Sequence, residues 1–249
     1  MYHHPTPRFS VITVTYNAAD VLEDTIQSVI TQTYHHVEYI IIDGGSTDGT
    51  LGIIRRYRDR IACVVSERDR GLYDAMNKGM ARATGDYLIF LNAGDSFHED
   101  DTLLHAVHSL AGGEELPDVI YGETELVDRE GHFVRMRRLS APRRLTWRSF
   151  RQGMLVCHQA FWPKAEIAPQ YDLRYRFSAD FDWCIRILKQ AKATHNTRLT
   201  LIDYLDEGLT TRNHRASLLE RFRIMAHHYG WACTLLCHAW FVVRAVVKK

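Results

Sequence analysis

The sequence has no run approaching the roughly 18 uninterrupted apolar residues that a membrane-crossing helix requires. The nearest stretch, Trp231 to Val247, is broken by His238 and Arg244. Met1 to Ser10 holds no apolar run either, which speaks against a cleaved leader and makes the cytoplasm the expected location. Cysteine is scarce: the five present (Cys63, Cys157, Cys184, Cys233, Cys237) form no C-x-x-C pair, and an odd number cannot all be bridged. A disulfide scaffold is thereby excluded, and small buried hydrophobes in a reducing compartment are expected. Collagen-like and heptad repeats are absent, and 46% hydrophobic residues are too many for a disordered chain. Bulk charge is nearly absent too, at +1. What is present is enough chain, 249 residues, for one large domain or one domain with a small appendage.

The near-neutral total conceals segregation. Asp86 to Val134 carries twelve acidic residues against one basic, Arg129. Arg135 to Arg151 carries seven arginines and no acid, and Arg212 to the end carries seven basic residues opposed only by Glu220. Such blocks bear on partners rather than on fold.

The first hundred residues alternate between two periodicities. Phe9–Thr15, Val37–Ile42, Ile61–Ser66 and Tyr87–Leu91 are short apolar, β-branched runs that predict buried strands. Between them, Asp20–Thr33, a segment carrying Leu51 and Ile54 behind the cap residues Ser46 to Asp48, and Leu72–Ala83 place apolar residues at helical spacing. A β-α-β-α-β-α-β order implies an α/β fold, a Rossmann-like mostly parallel sheet flanked by helices. In such sheets ligands gather beyond the carboxyl ends of the strands, here Tyr16-Asn17, Asp43, Glu67 to Arg70 and Asn92 to Asp95. The second half is less regular. A strand pair is expected over Val119–Val134 around a turn at Asp128 to Gly131, a helix capped by Ser178 over Ser178–Ala191, a strand over Thr197–Leu205, and helix from Ser217 onward.

Three carboxylates draw attention. Asp95, with Asn92 beside it, lies in an acidic turn after a buried strand; hard divalent cations take such oxygens, although an Asx turn uses the same residues. Asp43 precedes two glycines that let a ligand approach the backbone, or that merely make a strand-to-helix turn. Asp180 opens a helix in FSADFDW, where a carboxylate is a cap, a dipole partner or, if it faces a cleft, a general base. Asp182 competes with it from a different helix face.

The combination narrows these choices. FSVITVTYNAADVLEDTIQSVITQTY, VEYIIIDGGSTDGT and SERDRGLYDAMNKGMARATGDYLIFLNAGD, in this order, resemble glycosyltransferase family 2, and SERDRGLYDAMNKG followed by FLNAGDSFHED resembles its bacterial members of exopolysaccharide and colanic-acid assembly. The resemblance is close over residues 8 to 110 and looser through CHQAFW and FSADFDWCIRI. It implies the GT-A fold, with a catalytic domain over residues 1–210 (nucleotide-sugar half about 8–110, acceptor half 111–210) and a C-terminal helical appendage over 211–249. It further implies an inverting transferase that takes a UDP- or GDP-sugar as donor and uses Mn²⁺ or Mg²⁺. Thr15, Tyr16 and Asn17 match the segment that seats the nucleotide, Asp43 the acid that contacts the base, Asp95 the metal ligand and Asp180 the catalytic base. Asp69, Tyr73, Asn77 and Asn92 fall near the donor pocket. Three positions depart from the family pattern: Gly44 and Gly94 stand where relatives carry acids, and Ala179 where many carry Glu.

His158 and Gln159 lie in a segment that approaches the acceptor in relatives, yet a lone histidine is more often packed or hydrogen-bonded. Trp183 and Arg186 are expected in core packing and an ion pair. The arginine block is first a solvated charged face; with the tail GWACTLLCHAWFVVRAVVKK it also fits contact with an anionic membrane, at the cytoplasmic face of the inner membrane, and a saccharide or polyprenyl-diphosphate-linked acceptor. Packing on the catalytic domain or on a second copy is the rival for the tail. No nucleic-acid motif accompanies the arginines. The alternative functions are a sugar nucleotidylyltransferase, whose Gly- and Arg-rich phosphate loop VTYNAADVLEDT lacks, and a donor-binding scaffold without activity.

Overall fold

The computed structural model describes residues 6–113, 115–206 and 214–247. Strand β1 (Phe9–Thr15) is buried along its whole length and pairs in parallel with β2 (Val37–Asp43), Phe9 opposite Val37 and Thr15 opposite Asp43. β3 (Cys63–Ser66) adds to β2 with Ser66 opposite Asp43, and β4 (Tyr87–Phe90) adds to the other side of β1. The order β3-β2-β1-β4 is the expected parallel sheet. Its register places Thr15, Asp43 and Ser66 in one row at the carboxyl edge.

Helices α1 (Leu22–Ile30), α2 (Thr50–Arg56) and α3 (Leu72–Met80) make the crossovers, with Leu22, Ile26, Ile54 and Met76 turned into the core. α3 lies close on β1 because Gly79 has no Cβ; one would collide with Ile12. Ser46, expected as a cap, instead donates its hydroxyl to the Asp43 carboxylate. The helix begins four residues on, where Asp48 Oδ1 accepts the Thr50 N–H at 2.9 Å.

A second sheet completes the layer. β5 (Ser96–Phe97), β6 (Val119–Val127), β7 (Phe133–Met136) and β9 (Thr194–Leu205) run in the order β5-β9-β6-β7, with β8 (Phe161–Pro163) also on β6. β6 and β7 form the expected antiparallel pair, its turn held by the N–H groups of Glu130 and His132 donating to Asp128 Oδ1. α4 (Thr102–Ser109) packs on β9. α5 (Ala179–Gln190) carries Trp183 into the core, while Arg186 bonds Asp182 at 2.6 Å, as expected of both. Ser178 sits at its N-cap position but caps nothing. Its hydroxyl pairs with Ser217 Oγ at 3.0 Å, because the following helix lies against this end of α5.

That helix, α6 (His214–Tyr229), is built into the core. Ile224 and Met225 are buried, Glu220 accepts the N–H groups of Arg176 and Phe177, His228 meets Asp182 at 2.7 Å, and the Tyr229 ring stacks on Trp147. α7 (Trp231–Val247) folds back on α6. Its outward side exposes Trp231, Leu235, Leu236, Trp240, Val242 and Val243. Among the described residues no helix is long and apolar enough to cross a membrane. Residue 211, where an appendage was expected to begin, and the terminal Lys248 and Lys249 lie outside the described residues.

Candidate active site

A cavity of about 900 Å³ opens at the carboxyl edge of the parallel sheet, lined among others by Thr15, Tyr16, Gly44, Arg68 and Asp69. Thr15 Oγ1 is buried without a hydrogen-bond partner, whereas the Tyr16 ring is 64% exposed. Asp69 is held by Lys78 at 2.5 Å. Asp69 approaches the backbone at Gly44 closely: a Cβ there would lie 2.9 Å from Asp69 Oδ2, which would have to shift.

Three residues expected at the donor point elsewhere. Asp43 is fully buried, and its carboxylate accepts from Ser66 Oγ at 2.6 Å and from the Gly45 and Ser46 N–H groups at 3.1 Å. It shapes the glycine turn that lines the cavity. Asn17, at φ 48°, accepts the Thr47 N–H at 2.9 Å and ties the two loops together. Asn77 is likewise a clamp: its amide donates to the Tyr171 carbonyl at 3.0 Å and accepts the Tyr171 N–H at 2.7 Å.

Beyond β4 the chain turns at Gly94, φ 100°, and delivers Asp95 into the interior at 4% exposure. At position 94 the φ of 100° strains any residue with a Cβ, which would also lie 2.9 Å from Leu205 Cδ2. Asp95 Oδ2 accepts from Gln159 Nε2 at 2.8 Å and Oδ1 from the Leu205 N–H at 3.3 Å. Burial pushes its carboxyl up to about 6, against the pull of the Gln159 amide and the His158 ring. Asn92 Oδ1, in the same turn, is buried with no partner. A single buried carboxylate without a bonded cation and an unsatisfied amide oxygen are hard donors, and they fit an oxygen-preferring divalent ion that completes its shell from ligand and water.

A second cavity, about 470 Å³, lies between α5, α6 and β7. Asp180 faces it, with Oδ1 accepting from the Tyr73 hydroxyl at 3.0 Å and Oδ2 lying 3.4 Å from His158 Nδ1. Burial acts to raise the Asp180 carboxyl, but His158, Arg221 and Tyr73 outweigh it and hold it below the ordinary range. The Tyr73 phenol is raised well above its usual value, by burial and by the Asp180 charge, and stays a neutral donor. Asp182 points to the other helix face, into Arg186 and His228. Gln159, which bonds Asp95, lines the second cavity, and Ala93, two residues before Asp95, lines the first. Gln159 was expected, with His158, only in a segment near the acceptor and not as the partner of Asp95, and Arg221 was not singled out from the sequence.

A parallel α/β sheet with one cavity at its carboxyl edge and a second facing a buried carboxylate has the layout of an enzyme of the α/β class. The chain belongs to glycosyl transferase family 2, whose sequence profile it matches over residues 10–168. It is 35% identical over 210 residues to a PGL/p-HBAD biosynthesis glycosyltransferase of Mycobacterium bovis, covering 81% of this chain and 78% of that one. Its fold is similar to that of TarS from S. aureus, solved with UDP: TM-score 0.69, 19% identity, covering 88% of this chain and 64% of that one. This chain thus spans less than two thirds of the solved TarS chain. It is also similar in fold to the mannosyltransferase PcManGT from Pyrobaculum calidifontis, solved with GDP-Man and Mn²⁺, at TM-score 0.62 and 18% identity, covering 96% and 75%. The expected α/β, GT-A-like architecture is borne out.

Proposed function

We propose that the protein is an inverting glycosyltransferase that moves a sugar from a nucleoside-diphosphate donor to a saccharide hydroxyl in the assembly of a cell-surface glycan. The observation that carries this reading is the Asp180 carboxylate, kept ionised by Tyr73 and His158 at the wall of the acceptor-side cavity. A buried base of this kind takes the proton from an acceptor hydroxyl as that oxygen attacks the anomeric carbon, and displacement from the face opposite the leaving group inverts the configuration. Relatives in fold bind UDP-GlcNAc and GDP-Man, which favours a nucleotide sugar in the first cavity.

Thr15, Tyr16 and Asp69 line that cavity and would meet the nucleotide, while Asp43 and Asn17 act on it through the turn they hold. Tyr73 and Asn77 position α3 and the base. Asp95 and Asn92 would hold Mn²⁺ or Mg²⁺, which when bound supplies positive charge to the departing diphosphate. The apolar outer side of α7, with the arginines of residues 135–151, supports seating at an anionic membrane surface where a lipid-borne acceptor is presented. Asp180→Asn tests the core of the reading. The variant is expected to keep the melting-temperature rise given by a matched nucleotide sugar with Mn²⁺ and to lose transfer by about 10²–10⁴-fold. Full turnover by this variant would remove Asp180 from the mechanism.

A further inference from the structure

Carboxylates of this chain are held in two ways. Asp69 is paired with Lys78 and Asp182 with Arg186, so their charge is cancelled within the protein. Asp95 has no Lys or Arg partner among the described residues; Gln159 Nε2 and the Leu205 N–H, both neutral donors, hold its side chain. A neutral donor fixes the direction of a carboxylate and leaves its charge for a cation, which an ammonium or guanidinium would not.

Gln159 is itself held. It is fully buried on the short turn His158–Ala160, and its carbonyl accepts from Trp162 Nε1 at 2.8 Å. Its side-chain Oε1 accepts from the Cys157 thiol. An amide can face either way round, and here the thiol decides: Cys157 donates, so Oε1 faces it and Nε2 faces Asp95. Burial pushes the Cys157 thiol up, which keeps it a donor. The backbone of the Asp95 turn is fixed separately. The buried Thr25 hydroxyl accepts the Gly94 N–H at 2.9 Å and donates to the Asp95 carbonyl at 2.8 Å. What the Gln159 amide adds to that turn is the direction of the Asp95 side chain.

We propose that Gln159 is the positioning residue for the cation ligand: its amide aims the Asp95 carboxylate, and Cys157 sets which way the amide faces. The assignment rests on the reading of Asp95 as the ligand of Mn²⁺ or Mg²⁺ and adds the two side chains on which that ligand depends.

The test titrates UDP and GDP by calorimetry against the full chain, in Mn²⁺ and in EDTA, and the ratio of the two affinities measures what the cation contributes. In wild type at least one nucleotide is expected to bind more tightly in Mn²⁺. Gln159→Ala removes the donor but leaves a cavity, whereas Gln159→Met removes it and refills the space. Both are expected to cut the ratio by about tenfold, a typical cost of losing a group that orients a metal ligand, at unchanged affinity in EDTA. Cys157→Ala should cut it by about threefold, and Cys157→Ser, which still donates, should keep the wild-type ratio. A wild-type ratio in Gln159→Met would overturn the proposal. So would a loss of the same size in EDTA, which is what a purely structural defect gives. Cys157→Ser behaving as Cys157→Ala does would overturn the part given to the thiol. A wild type whose nucleotide affinity does not change with Mn²⁺ would instead remove the cation from Asp95, a failure of the reading on which the proposal rests.

Discussion

Tyr73 and Asp180, 107 positions apart, share a hydrogen bond of 3.0 Å in which the phenol donates to the carboxylate. It joins α3 to α5 at the group proposed as base. Tyr73 is buried, and its ring stacks on Tyr171, whose backbone Asn77 clamps, so the hydroxyl has little freedom to leave. Tyr73→Phe removes one of the groups that holds the Asp180 carboxyl down. A carboxyl with a lowered value stays ionised until the pH falls well into the acid range, and losing the donor moves that point upward. The acid limb of kcat against pH is therefore expected to rise by about one unit, the equivalent of a modest charged hydrogen bond. A profile superimposable on wild type would show that Tyr73 does not hold the base.

Gly94 gives a second prediction. Placing an acid there, as Gly94→Asp, forces a β-carbon onto a residue at φ 100° and against Leu205. The expected result is a melting temperature lower by on the order of 5 °C, with no gain in Mn²⁺ affinity by titration. Tighter Mn²⁺ binding at unchanged stability would mean that the turn has room for a second ligand.

Much of this architecture was legible in the chain. β1, β2 and β4 are apolar runs because both faces are covered, and a buried parallel strand needs no alternation. β9 begins at Thr194, three residues before its apolar pattern does, because THNTR is polar and pairs with β6 through an irregular register. Asp95 and Asp180 stood out from their motifs. Gln159 did not, since its partner Asp95 lies 64 positions away and nothing local marks an amide as a carboxylate's donor. Ser46, Ser178, Asn17 and Asn77 have side chains that serve equally as caps, ligands or clamps, and only their neighbours in space decide which.

The exposed side of α7 makes a third prediction. Leu235, Leu236 and Trp240 present exposed apolar surface on a segment, Trp231 to Val243, whose sequence holds no Asp, Glu, Lys or Arg. Flotation with vesicles of phosphatidylglycerol and phosphatidylcholine should carry the wild-type chain upward, more strongly at low salt because nearby arginines each add about 1 kcal/mol near an anionic surface. Serine at all three positions should leave the protein in the dense fraction at unchanged donor affinity. Equal flotation of both would assign membrane contact elsewhere, and no flotation of either would remove it.

The central claim is transfer from a nucleoside-diphosphate sugar across the Asp95 turn, and product analysis tests it most directly. Wild type and Asp95→Ala are incubated with a panel of UDP- and GDP-sugars and Mn²⁺, and the released phosphorus species are resolved by chromatography. The account predicts that at least one donor yields nucleoside diphosphate, by slow hydrolysis without acceptor, and that both EDTA and Asp95→Ala abolish it. Formation of nucleoside triphosphate and sugar phosphate once pyrophosphate is added to the same mixtures would identify a nucleotidylyltransferase, and undiminished diphosphate release by Asp95→Ala in EDTA would contradict the assigned site.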